Sequence, residues 1–203
     1  VLVCGANGSI GSFVSQQEAK THKVVGTYRN YDDHAKELEK NPNITLIQKD
    51  MFKSTDMKDV VEKAREQGPI TKVYWLVGES WNIGWDKMKL EDIQHAVRMC
   101  AEPVASLIIE CKPELSDENN LMRWASISGI SSLVYAGGPN KPATGGAKHM
   151  AEFYFRSASA FWTWKKNLFN NVRLGMSKRT KNFYAGYHGD KMKQIYKNDI
   201  PMG

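Results

Sequence analysis

Short apolar runs alternate along the chain with longer stretches whose apolar residues recur at helical spacing. Val1–Cys4 is the first strand-like run, and Gly11–Lys20 after it is able to form a helix. Lys23–Tyr28 (KVVGTY) predicts a second strand and the polar stretch Asp32–Lys40 a second helix, stopped by Asn41-Pro42. Ile44–Ile47 predicts a third strand. Ser54–Glu66 follows, with Val60, Val61 and Ala64 on one side of a helix, until Gly68-Pro69 breaks it. Lys72–Val77 (KVYWLV) predicts the fourth strand, Leu90–Cys111 a long helix, Leu121–Ser126 the fifth strand, Ala147–Phe161 a helix and Asn171–Leu174 the sixth strand. Strands separated by helix-sized segments predict βαβ units, and hence an α/β domain on a parallel sheet. There is no internal repeat and no low-complexity linker, and 203 residues suit a single domain over 1–203.

The sharpest local feature is CGANGSIGS, residues 4–12, with glycines at 5, 8 and 11. It follows an apolar strand and opens a helix, which is the context that gives such a loop a mechanism. Gly5 permits a tight turn, Gly8 lets backbone approach a pyrophosphate, and Gly11 lets helix and strand pack closely. The helix N-terminus then offers free N–H groups and partial positive charge to phosphates. A plain glycine turn in a non-binding domain is the alternative. The second strand ends in Thr27-Tyr28-Arg29-Asn30, with Arg29 18 residues after Gly11. An Arg there pairs with the 2′-phosphate of NADP, where an Asp or Glu would accept from the 2′-hydroxyl of NAD. Arg29 favours NADP; the nearby Asp32 and Asp33 keep NAD as the alternative.

Composition narrows the setting. Hydrophobic residues are 41% and charged residues 25%, the balance of a folded globular chain. No apolar run reaches the ~18 residues of a membrane span, and no signal peptide is visible. The chain opens at Val1 inside an apolar run, and a few residues are expected to precede it. Three cysteines at wide spacing (Cys4, Cys100, Cys111) suggest neither a disulfide framework nor a zinc site, so a cytoplasmic setting is expected. The five histidines show no ligand spacing, and no metal is expected. The formal charge of +6 is uneven: residues 163–203 carry nine Lys/Arg and two Asp/Glu, against 19 and 20 in the rest. That surplus suits an anionic ligand or a solvated basic face.

From the glycine loop to Gly203 the chain resembles the short-chain dehydrogenase/reductase family. The resemblance implies a Rossmann-like doubly wound parallel sheet flanked by helices. Asp199-Ile200-Pro201-Met202-Gly203 resembles the segment before that family's final helix and strand, so the last strand is expected to be absent from this chain. Asp50, in Gln48-Lys49-Asp50-Met51, would contact the adenine. Val77-Gly78 would lie beside the cofactor ribose, where only the glycine of the family's Asn-Asn-Ala-Gly is kept. The implied cofactor-binding set is Gly5, Asn7, Gly8, Ser9, Ile10, Gly11, Arg29, Asp50, Met51, Val77, Gly78, Lys148 and Gly175, the last being what remains of a Pro-Gly after the sixth strand.

The family's chemistry rests on Asn, Ser, Tyr and Lys, with Tyr as the general acid and Lys lowering its pKa. Here Ser128 matches the Ser and Lys148 the Lys, but position 144 is Thr and the Asn position falls near Met99. A phenol of reference pKa ~10 can be tuned toward neutrality; an aliphatic alcohol is a far poorer donor. Thr144 could instead cap the helix, Ser128 could be a turn residue, and Lys148 could hold ribose hydroxyls alone. Tyr135, between Ser128 and Thr144, ranks first as a replacement donor, ahead of His149, Tyr184 and Tyr187. Tyr187-x-x-x-Lys191 matches the family element as text but follows the sixth strand and is read as coincidence. Residues 178–198 would be a substrate lid.

The first expectation is therefore an NADP(H)-dependent oxidoreductase acting on a small carbonyl, enone or imine-like substrate, with a non-standard proton donor. The second is a dinucleotide-binding protein without net redox work, regulatory or a non-redox isomerase or cyclase. A third, nucleic-acid binding through the basic aromatic C-terminal segment, is explained as well by a lid. The helices Leu90–Cys111 and Ala147–Phe161 correspond to those the family uses for contacts between subunits, which implies a homodimer or tetramer.

Overall fold

The computed structural model describes residues 1–53, 57–78, 83–128, 141–162 and 166–173, and the side chains of all of these but 127 and 128. Six strands form one parallel sheet: β1 (Leu2–Cys4), β2 (Val24–Tyr28), β3 (Ile44–Gln48), β4 (Lys72–Trp75), β5 (Arg123–Ser128) and β6 (Leu168–Arg173). Their order is β3-β2-β1-β4-β5-β6. The chain winds outward from β1 in one direction, returns, and winds outward in the other. The crevice where the order reverses lies at the C-terminal end of β1, beside β4, which is where open α/β sheets bind ligands. The doubly wound α/β fold expected from the sequence is the one observed.

Alternation along the strands builds two apolar layers, because successive side chains leave a strand on opposite faces. Leu2, Cys4, Val25, Val73, Trp75 and Trp124 pack on one face against α3 (Met57–Glu66), α5 (Glu102–Glu110) and α7 (Pro142–Trp162). Val3, Val24 and Ile44 pack on the other, with Ala19 after α1 (Ser9–Glu18) and Leu38 of α2 (Asp33–Glu39). Trp124 is fully buried, with the rings of Phe155 and Phe169 each 5.8 Å away. No described helix is long and apolar enough to cross a membrane.

Several boundaries differ from the sequence pattern, each for a local reason. The long helix expected over Leu90–Cys111 is two helices, α4 (Leu90–Cys100) and α5, because Pro103 has no N–H to give the preceding turn and sits at the start of α5. A short α6 (Lys112–Ser116), not anticipated, is held by Arg65, whose guanidinium donates to both carboxylate oxygens of Glu114 (2.6 and 2.9 Å) and to the Glu110 carbonyl. The helix expected from Ala147 starts five residues earlier at Pro142, another proline at a first helical position. β6 starts at Leu168, three residues before the expected Asn171. The expected strand over Lys72–Val77 ends its pairing at Trp75, leaving Leu76-Val77-Gly78 as loop at the crevice.

Candidate functional site

The glycine loop is shaped by close approaches that a side chain would prevent. Gly5 has φ +82°, a conformation L-residues rarely adopt, and a Cβ there would stand 3.2 Å from the Leu76 carbonyl oxygen. A Cβ on Gly11 would lie 2.0 Å from the Gly5 carbonyl oxygen, so the first turn of α1 rests directly on the loop. Gly8, the residue before α1, is different: its Cβ would meet only the Gly5 oxygen, at 3.4 Å, and its open side faces the crevice. The three roles assigned from spacing are thus distinct in space. Two supports were not evident in sequence. Thr27, buried in β2, accepts from the Gly5 N–H through Oγ1 (3.1 Å) and from the Ala6 N–H through its carbonyl (2.7 Å). Gly26 lets Ala6 close onto β2, since a Cβ there would stand 2.7 Å from the Ala6 Cβ.

Above this loop is a cleft of about 430 Å³. The floor is Gly5, Gly8 and Gly11 with Asn7, Ser9 and Ile10; Leu76, Val77 and Gly78 form one wall, and Arg29, Asp50, Met51 and Phe52 the far end. The loops after β1 and β2 are laced together beside it. Asn7 donates from Nδ2 to the Asn30 carbonyl, and the Asn7 carbonyl accepts from His34 Nδ1, both at 2.9 Å. The Arg29 guanidinium lies over the Phe52 ring, 5.4 Å from its centroid, a cation–π arrangement that fixes a cation at the end of β2. Asp50 accepts from the Phe52 N–H (3.2 Å), which folds the turn after β3 so that Met51 is buried and Phe52 reaches Arg29.

Sheet order, glycine loop and cleft together decide the comparison with known proteins. No protein-family model matches the chain, and no curated protein matches it by sequence. Solved structures do match in shape. Sorbitol-6-phosphate 2-dehydrogenase from Erwinia amylovora superposes with a TM-score of 0.83 at 13% identity, over 98% of this chain and 84% of that one. ElxO, solved with NADP bound, gives 0.79 at 19% identity, over 96% and 82%. A short-chain dehydrogenase from Rhodopseudomonas palustris gives 0.76 at 17% identity, over 86% and 84%. This chain has the short-chain dehydrogenase fold.

The remaining site residues expected from the sequence lie at the end of β5 and on α7. Ser128 is the last residue of β5, its backbone in register with Arg173 of β6. Lys148 reaches from α7 to the crevice: its Nζ is 3.9 Å from the point a Cβ on Gly78 would occupy. Burial depresses the Lys148 ammonium below the ordinary lysine range, opposed only by Cys100. Burial depresses Lys141 as well, and the positive charge of Lys148 adds to it. Thr144 is not a helix cap. It is the third residue of α7, where Lys141 supplies the first carbonyl, accepting from the Gly145 N–H at 2.9 Å. Thr144 is 3% exposed, and its Oγ1 has no hydrogen-bond partner among the described residues. Four residues apart on a helix, Thr144 and Lys148 share a face.

Met99 packs on the small cluster Ala96, Cys100, Ala143 and Ala147 that joins α4 to α7, so the position carries packing and no polar group. A further group, absent from the sequence reading, is Glu152. Buried on α7, it accepts both nitrogens of the Arg173 fork (3.1 and 2.7 Å) and lies 3.7 Å from Arg156. The i,i+4 spacing to Arg156 does not single it out, because the partner that holds both carboxylate oxygens is on the next strand. Tyr135, Gly175 and the expected lid 178–198 lie outside the described residues, as do Tyr184 and Tyr187. Among the described residues no group of three or more His, Cys, Asp or Glu could hold a metal ion.

Proposed function

We propose that this protein is an NADP(H)-dependent oxidoreductase of the short-chain dehydrogenase/reductase type, acting on a small carbonyl, enone or imine-like substrate with a proton donor other than the family's tyrosine. The observation that carries this is the convergence on one cleft of the glycine loop, the Arg29 cation at the end of β2 and the Val77-Gly78 wall. The residues present fit a dinucleotide. Gly8 leaves the space a Cβ would fill open to the cleft, and α1 directs its N-terminal N–H groups there. The NADP-bound ElxO supports the choice of cofactor by its shared fold.

When bound, the nicotinamide supplies a hydride equivalent, and the chain's own residues do the rest. Gly5, Asn7, Gly8, Ser9, Ile10 and Gly11 hold the pyrophosphate, Arg29 pairs with the 2′-phosphate, and Asp50 and Met51 border the adenine. Lys148 holds ribose hydroxyls beside Gly78, and Val77 shields that wall from water. Ser128 polarises the oxygen that receives the proton. Thr144 orients substrate, being too weak an acid to deliver a proton at neutral pH. Tyr135 is assigned as the donor. A reduction on a C=C or C=N bond relaxes the need for a phenol at position 144.

The second reading, dinucleotide binding without net redox work, is favoured by one observation. The hydroxyl at the tyrosine position is buried and unpartnered among the described residues. Calorimetry with NADPH tests what the two share. NADPH consumption over a panel of aldehydes, ketones, enones and imines separates them, with Lys148→Ala as control. Turnover lost in that variant supports the oxidoreductase; tight binding with no turnover supports the second reading; absence of binding sinks both.

A further inference from the structure

We propose that His34 is a proton-linked determinant of dinucleotide choice: its imidazole takes up a proton as a 2′-phosphate binds beside it, so the preference for NADP(H) over NAD(H) strengthens as pH falls. This rests on the dinucleotide reading above, and it concerns a residue to which that reading gives no role.

The tautomer of His34 is set by one contact. Its Nδ1 is 2.9 Å from the Asn7 carbonyl oxygen, which can only accept, so Nδ1 carries the hydrogen. A neutral ring therefore presents a bare lone pair at Nε2, and among the described residues Nε2 has no hydrogen-bond partner. His34 lines the same cleft as Arg29 and Asn30, at the end where β2 gives way to α2. The carbonyl that holds the ring is itself braced, since the Asn7 side chain is tied to Asn30.

The two cofactors differ at this end by one group, and His34 answers that group differently in its two charge states. A 2′-hydroxyl can donate to a neutral Nε2. A 2′-phosphate has only acceptors to offer when ionised, and a lone pair facing it is repulsive. Protonated, Nε2 becomes a charged donor, and charge-assisted hydrogen bonds to phosphate are among the stronger polar contacts. Histidine is the side chain whose charge changes in the physiological range. Other charges around the cleft bear on the ring from every side. Arg29, Lys49, Asp32 and Asp50 line the same cleft. Lys49 is already paired with Asp59, Asp32 accepts from the Ala35 N–H, and Asp50 accepts from the Phe52 N–H. On the outer side of α2, Asp33 and Lys36 pair with each other. A phosphate arriving beside Arg29 is then the uncompensated charge that draws the proton onto Nε2.

The test is calorimetry of the whole protein with NADP+ and NAD+ in buffers of different ionisation enthalpy, for wild type and His34→Asn. The Asn amide can keep the contact to the Asn7 carbonyl but cannot titrate. Wild type is expected to take up more proton with NADP+ than His34→Asn does, and the two proteins are expected to behave alike with NAD+. The wild-type Kd for NADP+ is expected to weaken roughly tenfold more than that of His34→Asn between about pH 6 and about pH 8. The phosphate's own titration is common to both proteins and cancels in the difference. Equal uptake in both proteins, or equal uptake with both nucleotides, overturns the proposal while leaving NADP+ binding intact. Binding of neither nucleotide overturns the dinucleotide reading and this inference with it.

Discussion

The two ends of the crevice are built on different principles. At the glycine-loop end the working parts are backbone: a positive φ at Gly5, a carbonyl against Gly11, N–H groups at the start of α1. Side chains there are braces, such as Thr27 beneath the loop and Asn7 across it. At the α7 end the parts to which the proposed function gives roles are single side chains, Lys148 beside Gly78 and Thr144 one turn before it, and their surroundings are mostly apolar. A backbone cradle tolerates drift in sequence so long as the glycines persist. A constellation of side chains changes its chemistry with one substitution, and under the proposed function position 144 is where that bears most, being Thr in this chain.

The contrast can be broken most sharply at Gly11. Gly11→Ala forces a methyl against the Gly5 carbonyl at 2.0 Å, and is expected to cost about 3 kcal/mol and to abolish NADPH binding. Denaturant unfolding and calorimetry on the same preparation read both effects. At the other end, Glu152→Ala removes the partner of Arg173, and a loss of roughly 2 kcal/mol is expected, discounted because Arg173 is partly exposed. There, NADPH affinity should change little while turnover falls, since Glu152 ties α7 to β6 and does not touch the cleft. A smaller and opposite effect is expected of Thr144→Val. Replacing an unpartnered buried hydroxyl by a methyl should raise stability by about 1 kcal/mol and leave NADPH affinity unchanged. Turnover lost in that variant would mean that Oγ1 touches substrate.

The smallest change concerns pH. Burial holds Lys148 below its unfolded pKa, so between the two values the unfolded chain binds more protons than the folded one. Its contribution to stability therefore grows as pH rises through that window and is unfavourable below it. Lys148→Met should be the more stable protein at neutral pH, and the gap should narrow as pH rises through that window. A melting temperature that moves with pH identically in both proteins would remove Lys148 as the cause.

Most of the fold was legible because parallel βαβ units repeat a strong local signal. Apolar strand, glycine or turn, and amphipathic helix recur from Val1 to Val77 with little ambiguity. The misread helix boundaries lie where proline sets the local rule, at Pro103 and Pro142, because apolar periodicity alone does not reveal which side of a helix start a proline marks, whereas the ends of β4 and β6 are set by pairing with neighbouring strands. In the site, the eleven residues expected between Gly5 and Gly78 all line the cleft, since each lies in the loop or first helical turn that follows a strand. Thr27, Gly26, His34 and Glu152 were not read. Their partners lie on another strand or loop, twenty or more residues away (Gly5, Ala6, Asn7 and Arg173), and no local pattern encodes a contact of that range.

The strand order also sets a sequence of events during synthesis. β1 is paired on one side by β2 and on the other by β4, so as the chain emerges its second edge stays open until Lys72–Trp75 have been made. An open strand edge beside nascent polypeptide invites wrong partners. The half-sheet β3-β2-β1 can assemble first, which commits the loop after β1 to its brace on Thr27 before the opposing wall exists. Refolding from denaturant, where all strands compete at once, should accordingly be the more error-prone route to the same molecule.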